Sequence, residues 1–322
     1  MRRSSRNRHR WGVILAGGDG TRLKALTQTV SDDGRPKQFC PLLGGRTLLA
    51  QTRNRIAGSI DRSRTLFVLT STHERFYNAE LERVPSIQMI VQPSNRGTLP
   101  AILWSLLRIA QLDEHASIAF FPSDHYYSNE HKFMDGVERA FERAESNASS
   151  VILLGATPKH PEVEYGWIEP DASAVGPFSG ELMGIKRFWE KPSHETAKDL
   201  LARGCLWNTF VMVGRVTAFI EMIRQTVPDM YRDFETILRP LDPGMETDAM
   251  RTAYNSMPVA DFSRQVLSVS TGKLAVAPLG DIGWNDLGDP RRLVTILFES
   301  GIENPWVTSG CCSYCGDTLA AS

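Results

Sequence analysis

The chain has 322 residues, 42% apolar and 23% charged, with a formal net charge of −1. Such a composition excludes disorder and collagen, and the length suffices for one large core or two smaller ones. No run approaches the roughly 18 uncharged apolar residues of a membrane-spanning helix, and no apolar leader follows the N-terminal arginines, so a cytoplasmic protein without a membrane partner is expected.

Residues 1–10 hold Arg2, Arg3, Arg6, Arg8 and Arg10 and no acid, which leaves the rest of the chain at −6. A body of that sign is no footprint for nucleic acid. The segment is read as a basic, disordered arm, in keeping with how termini behave.

Short runs rich in Val, Ile, Leu and Phe predict strands at 11–16, 65–70, 88–92, 117–121 and 151–156. Between them, 47–57, 98–112 and 132–144 carry apolar residues at three- and four-residue steps, the spacing of helices packed on one face. Alternating strand and helix predicts an α/β fold, a mostly parallel sheet with helices on both faces. Further on, more polar strands are expected at 164–169, 184–190, 206–213 and 273–278, with helices at 194–203, 216–227, 230–238 and 246–256. No repeat or linker interrupts this run, so one domain over 11–298 with a sheet extension is favoured, and 299–322 reads as a C-terminal tail. Of the five cysteines, Cys40, Cys205, Cys311, Cys312 and Cys315, three crowd into that tail. An odd number is no disulfide framework, and the single CxxC spacing lacks the other two ligands of a structural zinc site.

Directly after the first predicted strand stands Leu15-Ala16-Gly17-Gly18-Asp19-Gly20-Thr21-Arg22-Leu23. A glycine-rich turn there can bring bare backbone N–H groups against a phosphate chain, because no Cβ blocks the approach. A dinucleotide fingerprint would need glycine where Leu23 stands, and a Walker loop would need Gly-Lys-Ser/Thr. Pro36-Lys37-Gln38-Phe39 follows downstream. Arg22 as a planar fork and Lys37 as a point charge suit a triphosphate; an ordinary glycine turn with surface cations is the plainer alternative. Asp124 lies just past the 117–121 strand, at the edge where open α/β sheets bind ligands, although an aspartate there also serves as a cap or turn residue.

The chain then shows Gln92-Pro93, Thr98-Leu99-Pro100-Ala101-Ile102, Pro122-Ser123-Asp124-His125, Glu164-Tyr165-Gly166-Trp167-Ile168, Glu190-Lys191-Pro192, Leu206-Trp207-Asn208 and Gly283-Trp284-Asn285-Asp286-Leu287-Gly288. With the glycine loop and its Pro-Lys-Gln-Phe companion, these segments resemble the sugar-phosphate nucleotidyltransferases, most closely the mannose-1-phosphate guanylyltransferases. The resemblance covers residues 11–298 in the family's order. It implies a Rossmann-like mixed sheet of the nucleotide-diphospho-sugar transferase type. It also implies Mg²⁺ as cofactor, held by Asp124 and Asp286, with Arg22 and Lys37 completing the catalytic set.

By the same resemblance the nucleotide contacts Leu15, Ala16, Gly17, Gly18, Gly20 and Thr21, while Gln92 or nearby main chain reads the base edge, with Gly97 allowing its close approach beside Thr98. The sugar 1-phosphate meets the Gly166 backbone, hydroxyl contacts from Glu190 and Asn208, and the Lys191 ammonium at its phosphate; a surface ion pair for Lys191 and a turn at Asn208 are the plainer alternatives. The implied partners are GTP and mannose 1-phosphate, giving GDP-mannose for polysaccharide biosynthesis, with a homodimer allowed. The alternatives are dTTP or UTP with glucose 1-phosphate, or a noncatalytic nucleotide-sugar-binding regulator. Because adjacent side chains on an extended segment point to opposite faces, His125 is expected to pack, or to support the metal-binding residues from behind, rather than to act as base or ligand. Two departures stand out: residues 24–35 lack the usual Trp-Pro, and Asp261-Phe262-Ser263 replaces Asp-Tyr-Ala without the glutamate that normally follows.

Overall fold

The computed structural model describes residues 7–171, 182–238 and 243–302, and for 243–247 only the backbone. Cys311, Cys312 and Cys315, and arginines 2, 3 and 6 of the expected arm, lie outside the described residues. Strands in chain order are β1 (Arg10–Leu15), β2 (Thr65–Thr70), β3 (Met89–Gln92), β4 (Ser117–Pro122), β5 (Tyr126–Tyr127), β6 (Val151–Ala156), β7 (Gly166–Asp171), β8 (Met183–Glu190), β9 (Leu206–Arg215), β10 (Leu274–Pro278) and β11 (Trp284–Asn285). The helices are α1 (Lys24–Ser31), α2 (Leu48–Ile56), α3 (Glu74–Leu81), α4 (Thr98–Leu112), α5 (Glu130–Ser146), α6 (His194–Ala202), α7 (Val216–Thr226), α8 (Pro228–Ile237), α9 (Pro243–Ser256), α10 (Phe262–Gln265) and α11 (Pro290–Glu299).

Nine strands form one sheet in the order β3-β2-β1-β4-β9-β6-β10-β8-β7, with β9 also touching β7. The parallel pairings are β3–β2, β2–β1, β1–β4 and β6–β10, whereas β9 runs antiparallel to β4, β6 and β7, and β8 to β10 and β7. The sheet is therefore mixed, and its parallel character is concentrated in the first half. Successive residues of β1 point into different cores. Val13 joins the α4 and α7 face with Leu103, Leu106 and Phe219, and Ile14 joins the α2 and α5 face with Leu49, Val137 and Phe141. Burial on both faces explains why these strands read as continuous apolar runs.

The strand order reverses at β1. The chain moves outward through β2 and β3, then returns through α4 to place β4 on the other side of β1, so a crevice opens at the carboxyl ends of β1 and β4, where Leu15 pairs with Pro122. The glycine loop leaves one lip and Ser123-Asp124-His125 leaves the other. A separate two-stranded ladder, Tyr126 against Asn285 and Tyr127 against Trp284, brings residues 284–286 alongside Asp124 from far along the chain. A third core of Leu23, Leu26, Leu42, Leu287 and Leu293 packs α1 against α11 and so fixes Arg22 next to Asp286.

Arg10 belongs to the fold and not to the arm. Its side chain is buried and its guanidinium meets Glu138 at 2.6 Å and Glu145 at 2.7 Å on α5.

Candidate active site

Two cavities of about 430 and 270 Å³ share Gly18, Gln38, Asp124, His125 and Asp286 at the carboxyl edge of the sheet. Leu15, Gly17, Gly18, Gln92, Gly97, Thr98, Gly166, Glu190 and Asn208 line the larger one; Gly18, Gly20, Thr21, Arg22 and Lys37 line the smaller. Ala16 and Lys191 line neither. Ala16 is committed to the sheet, its N–H donating to Val68 O at 2.8 Å and its carbonyl accepting from Gln38 Nε2 at 2.9 Å. Lys191 stands at the rim, with Nζ 3.4 Å from Glu164 Oε2.

The glycine loop is held from beneath by the Pro-Lys-Gln-Phe segment. Gln38 Nε2 also donates to Gly18 O at 2.7 Å, so the glutamine of that segment shapes the turn while its lysine supplies charge. A Cβ at Gly17 would come within 2.7 Å of Gln92 Nε2, which gives a steric reason for glycine there. At Gly97 the reason is different from close approach of a base. Its φ is +88° and a Cβ would lie 2.3 Å from Ala260 O, so glycine is needed to let the 259–263 segment pack over the start of α4. That segment carries Asp261 and Ser263 into the larger cavity.

Lys37 ties the two acids together. Its buried Nζ lies 3.3 Å from Asp124 Oδ2 and donates to the carbonyls of Asp286 and Leu287 at 2.6 and 3.3 Å. The Asp286 carboxylate accepts from Tyr165 Oη at 3.0 Å and Gly288 N at 2.9 Å through Oδ1, and from Arg22 Nη2 at 3.3 Å through Oδ2. Burial alone would raise its pKa, but Lys37, Arg292 and Arg22 hold it below the ordinary carboxylate range. Among the described residues no cluster of three or more His, Cys, Asp or Glu gathers as a ready-made metal cage. Two carboxylates opening onto the same cavities fit a hard cation that takes few protein ligands and otherwise water and phosphate oxygens.

His125 lines both cavities beside Asp124, so strand alternation does not turn it away from the site and of the two expected roles packing alone does not hold. The segment turns after Pro122, so the alternation does not extend that far. Trp284 Nε1–H donates to Nδ1 at 3.1 Å, which places the proton of the neutral ring on Nε2, 4.0 Å from Asp124 Oδ1. Burial depresses its pKa to about 4 against the opposing pull of Asp124 and Asp286, so it is neutral near pH 7.

In the larger cavity, Glu190 Oε2 sits over Gly166, and burial followed by nearby Asp261 raises its pKa. Asn208 spends Oδ1 on the Phe210 N–H at 3.1 Å, closing a turn and leaving Nδ2 for a ligand. Lys191, Phe210 and Leu287, three of the four non-glycine residues with positive φ among those described, flank Glu190, Asn208 and Asp286. Backbone held this way concentrates at sites where side-chain placement matters. Sequence reading missed Tyr165, Arg292 and Tyr254. Tyr165 lies inside a motif already singled out, but nothing local shows that its hydroxyl and Arg292 Nη1 meet at 2.6 Å behind Asp286.

A glycine loop at a topological switch point, two cations and two acids meet on shared cavity walls at the carboxyl edge of an α/β sheet, an arrangement suited to a phosphate-bearing ligand. The chain belongs to the nucleotidyl transferase family, whose model matches residues 11–299. It is 29% identical over 300 residues to mannose-1-phosphate guanylyltransferase 2 of Escherichia coli O157:H7, covering 89% of this chain and 60% of that protein. The xanthan biosynthesis protein XanB of Xanthomonas campestris is 30% identical, with 91% and 60% covered. A Thermus thermophilus structure described as a mannose-1-phosphate geranyltransferase superposes with a TM-score of 0.77 at 25% identity, covering 92% of this chain and 80% of that one. The chain thus spans about 60% of the length of the curated relatives it matches.

Proposed function

We propose that the chain transfers a nucleotidyl group from GTP to mannose 1-phosphate, giving GDP-mannose and pyrophosphate. The observation that carries this is Lys37 joining Asp124 to the Asp286 turn beside the glycine loop. The relatives' names support the choice of substrates.

In the reaction a phosphate oxygen of the sugar attacks the α-phosphorus of the triphosphate in line, and the bond from that phosphorus to the β-bridging oxygen breaks. The attacking group is already an anion at neutral pH, so no general base is required, and neutral His125 is suited to orienting Asp124 rather than taking a proton. Asp124 and Asp286 would hold Mg²⁺, which when bound neutralises charge on the triphosphate as pyrophosphate departs. Arg22, half-exposed and paired with Asp286 and Glu164 at 3.3 and 3.6 Å, is free to turn toward phosphate oxygens. Lys191, Glu190, Gly166 and Asn208 would receive the sugar phosphate. Gln92 would meet the base beneath Gly17.

The test is pyrophosphate release from four nucleoside triphosphates, each with mannose, glucose or N-acetylglucosamine 1-phosphate. Highest kcat/KM for GTP with mannose 1-phosphate is expected. Release with another pair alone would reassign the substrates, and binding without release from any pair would make the chain a regulator.

A further inference from the structure

Gln92 is nearly fully buried at the end of β3, and what reaches its amide from behind decides what it can offer in front. Nε2 lies 3.4 Å from Leu69 O, a group that can only accept, so the nitrogen end of the amide must face it. The oxygen end then faces Tyr254, whose hydroxyl donates to Oε1 at 3.1 Å. Tyr254 sits on α9 with no measurable exposure, its ring packed against Trp104 and Phe234 at 5.9 and 6.3 Å. Burial raises the phenol pKa, so the donor persists at every pH the protein meets.

We infer that Tyr254 is a specificity-positioning residue: by capping Oε1 it fixes the Gln92 amide with only an N–H donor toward the base cavity. This rests on the placement of the base at Gln92 proposed above. A free glutamine offers donor and acceptor alike and discriminates poorly. With the acceptor end occupied, Gln92 suits a carbonyl on the base edge, such as O6 of guanine or hypoxanthine. An exocyclic amine at that position, as in adenine, sets donor against donor. The amide could accept from the amine only by flipping, which would abandon the Tyr254 bond and turn oxygen toward Leu69 O. The discriminating element is thus partly repulsive, as specificity often requires.

The test is calorimetric binding of GDP, IDP and ADP, which reads the base pocket whether or not the chain turns over. The wild type should bind GDP and IDP more tightly than ADP. Tyr254→Phe, which keeps the ring packing, should narrow the IDP-to-ADP ratio by about tenfold, the scale of one lost hydrogen bond, with a fall in melting temperature that leaves the protein folded at the temperature of the titration. Gln92→Ala should narrow it comparably. A Tyr254→Phe protein that keeps the wild-type ratio while Gln92→Ala loses it overturns this inference alone. An unchanged ratio in both variants, or no preference in the wild type, overturns it together with the placement of the base. Absence of pyrophosphate release with the binding pattern intact would instead count against the proposed reaction.

Discussion

The Lys37 ammonium donates to the backbone carbonyl of Asp286 at 2.6 Å, joining positions 249 residues apart in the chain. The bond places a buried positive charge between the Asp124 carboxylate and the 286–287 turn. Lys37→Met should leave both carbonyls and Asp124 without that partner. Equilibrium unfolding is expected to show a loss of about 2–4 kcal/mol, the scale for groups stripped of a buried charged partner. Turnover should fall by more than about a hundredfold.

Replacing either acid by its amide separates their roles. Asp124→Asn and Asp286→Asn should each lower kcat by on the order of a hundredfold or more, read from steady-state pyrophosphate release. Asp286→Asn should destabilise the fold more than Asp124→Asn, because its carboxylate is buried among Arg22, Tyr165, Gly288 and Arg292, whereas Asp124 is partly exposed and meets Lys37 alone among the described cations.

Much of this site is legible in the residues alone. The glycine loop and Asp124 follow strands whose apolar runs are unmistakable, and the α/β alternation fixes which end of the sheet they occupy. Helix α3 escapes such a reading, because its polar sequence buries only Tyr77 and Leu81. The ladder that carries Asp286 to Asp124 is two residues long, too short for any period to announce. Tyr165, Arg292 and Tyr254 act on residues 121, 127 and 162 positions away, and contacts at such separations leave no local pattern. For Lys191 and Ala16 the residue types suit phosphate and loop, yet only the three-dimensional arrangement separates rim and sheet from cavity wall.

His73 gives a pH signature away from the acids. Burial lowers its pKa against the raising effect of Asp19, which Nε2 meets at 3.2 Å, and its buried Nδ1 has no hydrogen-bond partner among the described residues. Protonation would place an N–H on that buried nitrogen. The unfolded chain therefore binds the proton more readily, so this residue's contribution to stability is complete above about pH 6.5 and is lost as pH falls toward the lower folded value. Unfolding free energies measured from pH 7.5 to 5 should decline more steeply for the wild type than for His73→Gln.

Gly97→Ala probes the packing of the 259–263 segment. With a Cβ 2.3 Å from Ala260 O at a positive φ, the substitution should cost about 2 kcal/mol or more in stability. It should also raise the KM for the sugar phosphate by displacing Asp261 and Ser263, which lie against Glu190. A melting temperature equal to that of the wild type would contradict this assignment.

At the rim, Lys191→Ala should raise the KM for mannose 1-phosphate by about tenfold or more while the KM for GTP changes little, since removal of one charge-assisted phosphate contact costs on that scale. Equal damage to both constants would move Lys191 out of the sugar-phosphate site.

The most direct measurement is electron paramagnetic resonance of Mn²⁺ bound to the chain in the presence of a nonhydrolysable GTP analogue. If Asp124 and Asp286 jointly hold the catalytic cation, the wild type binds Mn²⁺ in a saturable site that either Asn variant weakens by at least about tenfold. Wild-type Mn²⁺ affinity in both variants would contradict the account.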